Sequence, residues 1–169
     1  MCRPFFLGHL ARQRSRPCSF SHPWPWSLHL AGLGPILRGM DYRKYPCPCC
    51  GYRVFRLQPG NHERCPICLW EDDLAQLRFP RMPGSANQVS LEQAQCNYAL
   101  FGTAERRNIG SSRDPLEGEE RDESWRPLDP SHDNPEEPQH GVDYADSYPL
   151  ADTTVLYYWR TTYWRRLAS

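Results

Sequence analysis

The clearest periodic pattern of apolar positions predicts a helix in the middle of the chain. Four apolar residues recur there at three- and four-residue steps: Leu91, Ala94, Tyr98 and Phe101. This spacing places them on one face of a helix. Ser90 and Gln93 form a capping box at its start, and Gly102 is the kind of residue that commonly ends a helix. The sequence therefore predicts one helix between Ser90 and Gly102 that packs its apolar stripe on the rest of the domain.

Two other segments have the β-branched and aromatic composition that is typical of strands. The first is residues 52–57, and the Pro59-Gly60 pair that follows predicts a type II turn. Residues 62–64 would then return, so a short hairpin is expected. The second segment is residues 153–164, which predicts an aromatic strand or hairpin at the carboxyl end.

Charge and composition divide the chain into four segments. The 169 residues carry 20 Lys+Arg and 20 Asp+Glu, but residues 1–39 contain no acid while residues 103–149 are strongly acidic and proline-rich. We expect a disordered extension at 1–39, a cysteine-rich domain at 40–102 and an acidic linker or surface wrap at 103–149. Residues 150–169 would form the aromatic strand segment.

The first 39 residues allow three interpretations. They can be an over-extended reading frame ahead of Met40, a genuine flexible extension, or an acid-poor targeting segment. The run Pro23-Trp24-Pro25-Trp26 could touch a membrane surface, because Trp favours the interface. No apolar run reaches the ~20 residues that a membrane span needs, and no signal peptide is visible. A cytoplasmic location is therefore expected.

Two C-x-x-C pairs carry the strongest chemical signal. Cys47 and Cys50 form the first pair, Cys65 and Cys68 form the second, and fourteen residues separate the pairs. Thiolates at this spacing are typical of a structural zinc site. Four thiolates leave no open coordination position, so Zn²⁺ would stabilise a small core and take no part in catalysis. The expected fold is a small α+β domain with a zinc-ribbon-like β-hairpin stapled by this four-cysteine site.

Alternative interpretations of the same region stay open at this point. The cysteines could form disulfides or a thiol redox motif. Cys49 is a spare thiol beside the pairs that could be reactive, and His62 could replace a ligand. Glu71, Asp72 and Asp73 could bind a hard cation such as Mg²⁺, although a solvated acidic turn is the simpler interpretation.

Three blocks of the sequence resemble the cysteine-rich CPCC domain, a mainly bacterial family. They are Tyr45-Pro-Cys-Pro-Cys-Cys-Gly-Tyr52, Cys65-Pro-Ile-Cys-Leu-Trp-Glu-Asp-Asp73, and Ala86-Asn87 leading through Ser90-Leu91, Ala94 and Asn97-Tyr98 to Phe101-Gly102. The resemblance covers about 60 residues and implies a zinc-binding fold. It implies no activity, and it places the start of the family domain near Met40.

The sequence favours a non-enzymatic zinc-ribbon module that mediates protein or nucleic-acid contact. No combination of nucleophile and base suggests catalysis. Nucleic-acid contact has weak support from Arg160, Arg165 and Arg166, which lie among the aromatic residues of the tail. The alternatives are a thiol-reactive or redox protein that uses Cys49, and an acidic inhibitor-like protein that binds a partner through residues 103–149.

Overall fold

The structure is a computed structural model that describes residues 44–167. The interpretations of residues 1–39 lie outside the described residues. The strands are β1 (Tyr45–Pro46) and β2 (Arg53–Phe55), and the α-helices are α1 (Leu74–Arg78), α2 (Leu91–Phe101), α3 (Pro130–Asp133) and α4 (Trp164–Leu167). Three 3₁₀ turns cover Arg106–Asn108, Ala145–Ser147 and Thr153–Leu156. None of the helices in this part of the chain has the length and apolarity needed to cross a membrane.

The predicted hairpin is present, but its strands pair differently from the expectation. β2 pairs antiparallel with β1, with Tyr45 opposite Phe55 and Pro46 opposite Arg53. The hairpin therefore encloses the first C-x-x-C pair, whereas the sequence suggested that residues 52–57 would pair with the returning segment at 62–64. That segment instead forms an isolated bridge between Arg64 and Glu71, across the second pair.

The central helix begins and ends where its sequence signals indicate. The Ser90 hydroxyl accepts a hydrogen bond from the Gln93 amide at 3.2 Å, and Gly102 ends the helix in the left-handed conformation with φ 72°. Leu91 and Ala94 are fully buried. The side chain of Gln93 donates to Asn97 at 3.0 Å. Of the two bonds of a capping box, the one to the Ser90 hydroxyl is therefore formed, and the Gln93 side chain bonds to Asn97 instead.

Helix α1 has no apolar periodicity in the sequence and was not predicted. Asp73 caps its start by accepting hydrogen bonds from the amides of Ala75 and Gln76 at 2.8 and 3.0 Å. The second carboxylate oxygen of Asp73 accepts from the Ala86 amide at 2.9 Å and so ties the following loop to the helix. A five-residue helix depends on such a cap because it is too short to be stable by itself.

The prediction of a strand at the carboxyl end is wrong for the described residues. Residues 150–167 contain a 3₁₀ turn, further turns and α4, with no strand among them. Asp152 caps the 3₁₀ turn by accepting from the Thr154 amide at 3.0 Å. Tyr157, Tyr158 and Trp159 are consecutive and all buried. A strand would point the middle residue to the opposite face, so a turn is what allows all three rings to enter the core.

The acidic segment at 103–149 lies against the domain through specific contacts. Asp122 donates its backbone N–H to the Gly51 carbonyl at 2.9 Å, and the Trp125 indole donates to the Pro48 carbonyl at 3.1 Å. Gln95 of α2 accepts from the Leu128 amide at 2.9 Å. These bonds place the segment over the first cysteine pair; its limits as a separate segment stay a prediction.

A buried arginine at the end of α1 holds the segment after α3. Arg78 is 3% exposed, forms an ion pair with Glu136 at 2.8 Å and donates to the Ser147 hydroxyl at 2.8 Å. Its guanidinium carbon lies 4.7 to 5.1 Å from the centroids of four rings: Phe79, Tyr144, Tyr148 and Trp164. Cation–π contacts of this kind are stronger when the cation is shielded from water.

Candidate metal centre

Four cysteine sulfurs meet in the core at the separation that a tetrahedral metal ion requires. The Sγ atoms of Cys47 and Cys68 are 3.6 Å apart, those of Cys50 and Cys65 are 3.7 Å apart, and all four lie within 4.8 Å of one another. A tetrahedral ion with metal–sulfur bonds of about 2.3 Å separates its sulfur ligands by about 3.8 Å. All four residues are fully buried. The cluster could therefore hold one metal ion shielded from solvent.

The two cysteine pairs lie in six-residue turns of the same construction. We call residues 47–52 the first knuckle and residues 65–70 the second knuckle. In the first knuckle the Cys47 amide donates to the Tyr52 carbonyl at 2.9 Å and the Gly51 amide donates to the Cys47 carbonyl at 2.8 Å. In the second knuckle the Cys65 amide donates to the Trp70 carbonyl at 2.8 Å, and the Leu69 amide donates to the Cys65 carbonyl at 2.9 Å. The first cysteine is followed by proline in both turns.

Both knuckles need a left-handed residue after their second cysteine. Gly51 has φ 82° and Leu69 has φ 65°. Glycine adopts such a conformation without steric cost, but leucine does not. The sequence signal at Gly51 was therefore readable, whereas the matching conformation at Leu69 was not.

The pKa values of the Cys47, Cys65 and Cys68 thiols depend on their burial and on hydrogen bonds between the sulfurs of the cluster. Burial raises the pKa of the Cys47 and Cys68 thiols well above the ordinary value. Burial opposes the ionisation of Cys65 as well, but hydrogen bonds from Cys47, Cys50 and Cys68 lower the pKa of its thiol. Several thiolates cannot be buried together without a compensating positive charge. A bound cation would supply it and would release protons from the cluster.

The other candidate ligands, Cys49 and His62, lie outside this cluster. Cys49 is fully buried and belongs to the core, at the position that Ile67 holds in the second knuckle. Burial raises the pKa of the Cys49 thiol. The side chain of His62 is 66% exposed and its Nδ1 lies 3.3 Å from a Glu71 carboxylate oxygen. Within the described residues, the only grouping of metal-ligating side chains found is the four-cysteine cluster.

The acids after Trp70 are structural, and the expectation of a solvated acidic turn is wrong for two of them. Asp72 is 1% exposed and accepts from the amides of Gly60 and Asn61 at 2.6 and 3.1 Å. Asp73 caps α1. These residues tie the turn after β2 and the helix to the end of the second knuckle, and they show no arrangement suited to Mg²⁺.

The second knuckle is also fixed by the segment that follows α2. The Ala104 amide and the Thr103 hydroxyl both donate to the Cys68 carbonyl, at 2.7 and 3.2 Å. Neither residue carries a local sequence signal that connects it with the site. A bond over more than thirty residues of chain leaves no local signal.

Comparison with known proteins places this centre in a family. The family described as Cysteine-rich CPCC matches residues 45–119, a range that contains both knuckles, α2 and the start of the acidic segment. Comparisons with curated proteins and with solved structures give no match. The resemblance that the cysteine blocks indicate is confirmed by this match of residues 45–119 to the Cysteine-rich CPCC family.

Proposed function

We propose that the domain is a structural zinc module of the zinc-ribbon type, which acts by presenting a surface to another macromolecule. The observation that supports it is the set of four buried sulfurs at 3.6 and 3.7 Å across the two knuckles. Soft thiolate donors in a tetrahedral set favour zinc or iron among the common metals. Zinc has no redox chemistry of its own, which suits an ion whose role is to hold a fold together.

A contact function fits this centre better than catalysis does. When all four cysteines bind the ion, no coordination position is left for water or substrate. A protein partner is favoured over nucleic acid, because the tail rings that would stack on bases are buried. Tyr157 is fully buried, and Tyr158 and Tyr163 are 1% and 2% exposed. Base stacking needs an accessible ring face.

The contacts of the acidic segment favour a scaffold role for it over that of a free inhibitory arm. Asp122 and Trp125 bond directly to the backbone of the first knuckle. The segment therefore supports the metal-binding turn, and any partner would meet it as part of the folded domain.

Metal analysis of the purified full chain tests the proposal. We expect about one zinc per chain, and a cobalt-substituted sample with the strong sulfur-to-cobalt charge-transfer absorption of a tetrathiolate site. Addition of a strong chelator should unfold the domain, because the binding free energy of a structural zinc is folding free energy. A folded protein without metal, or iron in place of zinc in a sample grown with both metals, would contradict it.

Substitution of single cysteines identifies the ligands, and Cys49 provides the matched control. Cys47→Ser and Cys68→Ser should each lose most of the bound zinc, whereas Cys49→Ser should keep about one zinc per chain. In the zinc-loaded protein, thiol reagents should modify Cys49 only as the domain unfolds, since its side chain is fully buried. Rapid modification of Cys49 without zinc loss would support the thiol-reactive alternative.

A further inference from the structure

A surface cavity beside the first knuckle has the features of an anion site. It has a volume of about 420 Å³ and is lined by Arg53, Asp122, Ser124, Trp159, Arg160 and two threonines, Thr161 and Thr162. Cavities of roughly 300–1,000 Å³ accommodate small-molecule ligands. The lining residues come from β2, the acidic segment and the aromatic tail, so only the folded chain brings them together.

Two guanidinium groups converge on one carboxylate in this cavity. An Nη2 of Arg53 lies 3.4 Å from Oδ2 of Asp122, and Nη2 of Arg160 lies 3.5 Å from the same oxygen. Both distances are at the outer limit of a hydrogen bond. The other oxygen of Asp122 is occupied by the backbone N–H of Ser124 and by its hydroxyl. One carboxylate therefore faces two cations, and the lining keeps a net positive charge.

Most hydrogen-bond donors of the two arginines are unused. Each guanidinium carries five N–H donors, and each makes only its one long bond to Asp122 among the hydrogen bonds of the described residues. Their side chains are 51% and 31% exposed, so solvent and ligands can reach them. Other arginines differ: Arg113 makes two bonds of 2.7 Å to Glu119, and Arg78 is buried against Glu136.

The Arg160 guanidinium is held by a core ring, and the backbone of Arg53 is fixed by strand β2 and the acidic segment. Arg160 stacks on the Tyr157 ring at 4.9 Å, and the Tyr157 hydroxyl donates to the Pro46 carbonyl at 3.0 Å. Arg53 lies in β2, and its backbone N–H donates to Glu120 at 3.0 Å. Donors that are fixed before binding lose less conformational entropy when the ligand arrives.

We propose that this cavity binds the phosphate group of a small phosphate monoester, with Arg53 and Arg160 as the charged donors. Two guanidinium groups that converge on one point of the cavity suit the several acceptor oxygens of a phosphate. Thr161 and Thr162 line the same cavity, and threonine hydroxyls are able to donate to further oxygens. The proposal concerns a site apart from the four sulfurs and does not depend on which metal they bind.

Titration of the metal-loaded full chain with inorganic phosphate and with glucose 6-phosphate, followed by NMR in a phosphate-free buffer, tests the site. We expect saturable shifts for both ligands, centred on the cavity residues. Arg53→Gln and Arg160→Gln should each weaken binding about tenfold, the effect of losing one charge-assisted hydrogen bond. Asp122→Asn should strengthen it several-fold, because the competing carboxylate charge is removed. Arg56→Gln is the matched control: Arg56 is exposed just after β2, and its loss should leave affinity unchanged.

Each other outcome overturns the proposal. If neither ligand shows saturable binding below about 20 mM, the cavity is not a phosphate site. An equal effect of Arg56→Gln would show attraction by overall charge, and equal binding of acetate would exclude selectivity for phosphate. Tighter binding of an oligonucleotide without a terminal phosphate would exclude a monoester. The metal content of each variant reports its folding, and it separates failure of this site from failure of the zinc proposal.

Discussion

The two knuckles share one backbone plan, but their surroundings are different. In the first knuckle the left-handed residue is Gly51, and Trp125 packs so closely on it that no side chain fits. In the second knuckle the same position is Leu69, a residue with a side chain that must bear the strain of φ 65°. The two C-x-x-C turns therefore have the same geometry with different residues at the left-handed position. At Gly51 the neighbouring Trp125 leaves room only for glycine.

The acids beside the two knuckles also differ. Burial opposes the ionisation of Asp122, beside the first knuckle, but hydrogen bonds from Ser124 and the charges of Arg53 and Arg160 hold its pKa below the ordinary value. Asp72, after the second knuckle, is buried and forms no ion pair with an arginine or lysine among the described residues, and this burial raises its pKa to about 6. Its Oδ1 has no hydrogen-bond partner among the described residues. One acid therefore supports the folded state when charged, and the other does so when neutral.

The largest expected effect is that of Gly51→Ala, because the left-handed position of the first knuckle has no room for a side chain. A Cβ at Gly51 would lie 2.5 Å from Cδ2 of Trp125, so Gly51→Ala combines a clash with backbone strain. Strain and overpacking each cost about 1–3 kcal/mol, and we expect a loss of about 4 kcal/mol in the free energy of unfolding. Urea denaturation of the metal-loaded protein measures it.

The matched control for this effect removes the neighbouring ring. In the Trp125→Ala background, Gly51→Ala should cost only the strain of about 1–2 kcal/mol. The same cost in both backgrounds would show that the ring does not limit the position.

The third positions of the knuckles provide the next test. Ile67→Ala should cost about 2–4 kcal/mol, because it removes a large apolar group from a fully packed site. Cys49→Ala removes a single sulfur at the equivalent position and should cost about 1 kcal/mol. Thermal unfolding with parallel zinc analysis measures both, and zinc should stay at about one per chain. Loss of zinc from Cys49→Ala would show that Cys49 acts on the ion.

The two acids should give pH dependences of opposite sign. The raised pKa of Asp72 stabilises the fold at pH values below its unfolded pKa, and this contribution is lost as pH rises through about 6. Relative to the wild type, Asp72→Asn should therefore gain about 2–3 kcal/mol between about pH 4 and 7. The lowered pKa of Asp122 stabilises the fold at pH values above its unfolded pKa, and this stabilisation is lost as pH falls. Asp122→Asn lacks this stabilisation, so the difference in stability between the variant and the wild type should shrink on acidification.

Denaturation at a series of pH values, compared with the wild type at each pH, measures this contrast. The comparison cancels the pH dependence that the cysteine cluster gives to every variant. A difference between Asp72→Asn and wild type that does not change with pH would show that folding leaves the pKa of Asp72 unshifted.

The smallest expected effect is at Leu69. Leu69→Gly should be more stable than Leu69→Ala by about 1 kcal/mol, because only alanine keeps the left-handed strain. At ordinary positions alanine is the more stable of the two by about 0.4–1 kcal/mol. Chemical denaturation of the pair decides it; the ordinary order at Leu69 would mean that its conformation carries little strain.

Local signals predicted the parts of the fold that depend on neighbouring residues. The helix between Ser90 and Gly102 was predicted from its apolar spacing and its caps, because each of these acts within one or two turns. The four clustered cysteines were predicted because each C-x-x-C pair already fixes the distance between its own sulfurs. Helix α1 was not predicted because its five residues are too few to show an apolar period. Its cap, Asp73, also binds a loop thirteen residues away, and no local signal indicates that contact.

The errors concern residues whose partners are distant in sequence. The composition of residues 153–164 favours strands, but β propensity reflects packing on a pleated surface. Tyr157 and Tyr158 instead contact β1 and α2 from turn conformations. Asp72 was predicted to be solvated because no residue near it in sequence indicates that the turn at Gly60 covers its carboxylate. The ring cluster around Arg78 joins residues more than fifty positions apart.

The amino-acid sequence by itself determined the four-cysteine cluster, the two turns that present it and the helix that packs beside it, because residue spacing determines short-range geometry. Only the tertiary structure decided which strand pairs with β2, how the aromatic tail folds, and which charges are buried or left facing the Arg53–Arg160 cavity. Those choices depend on the total area buried and on charge pairs formed across the whole chain, and no local pattern records such sums.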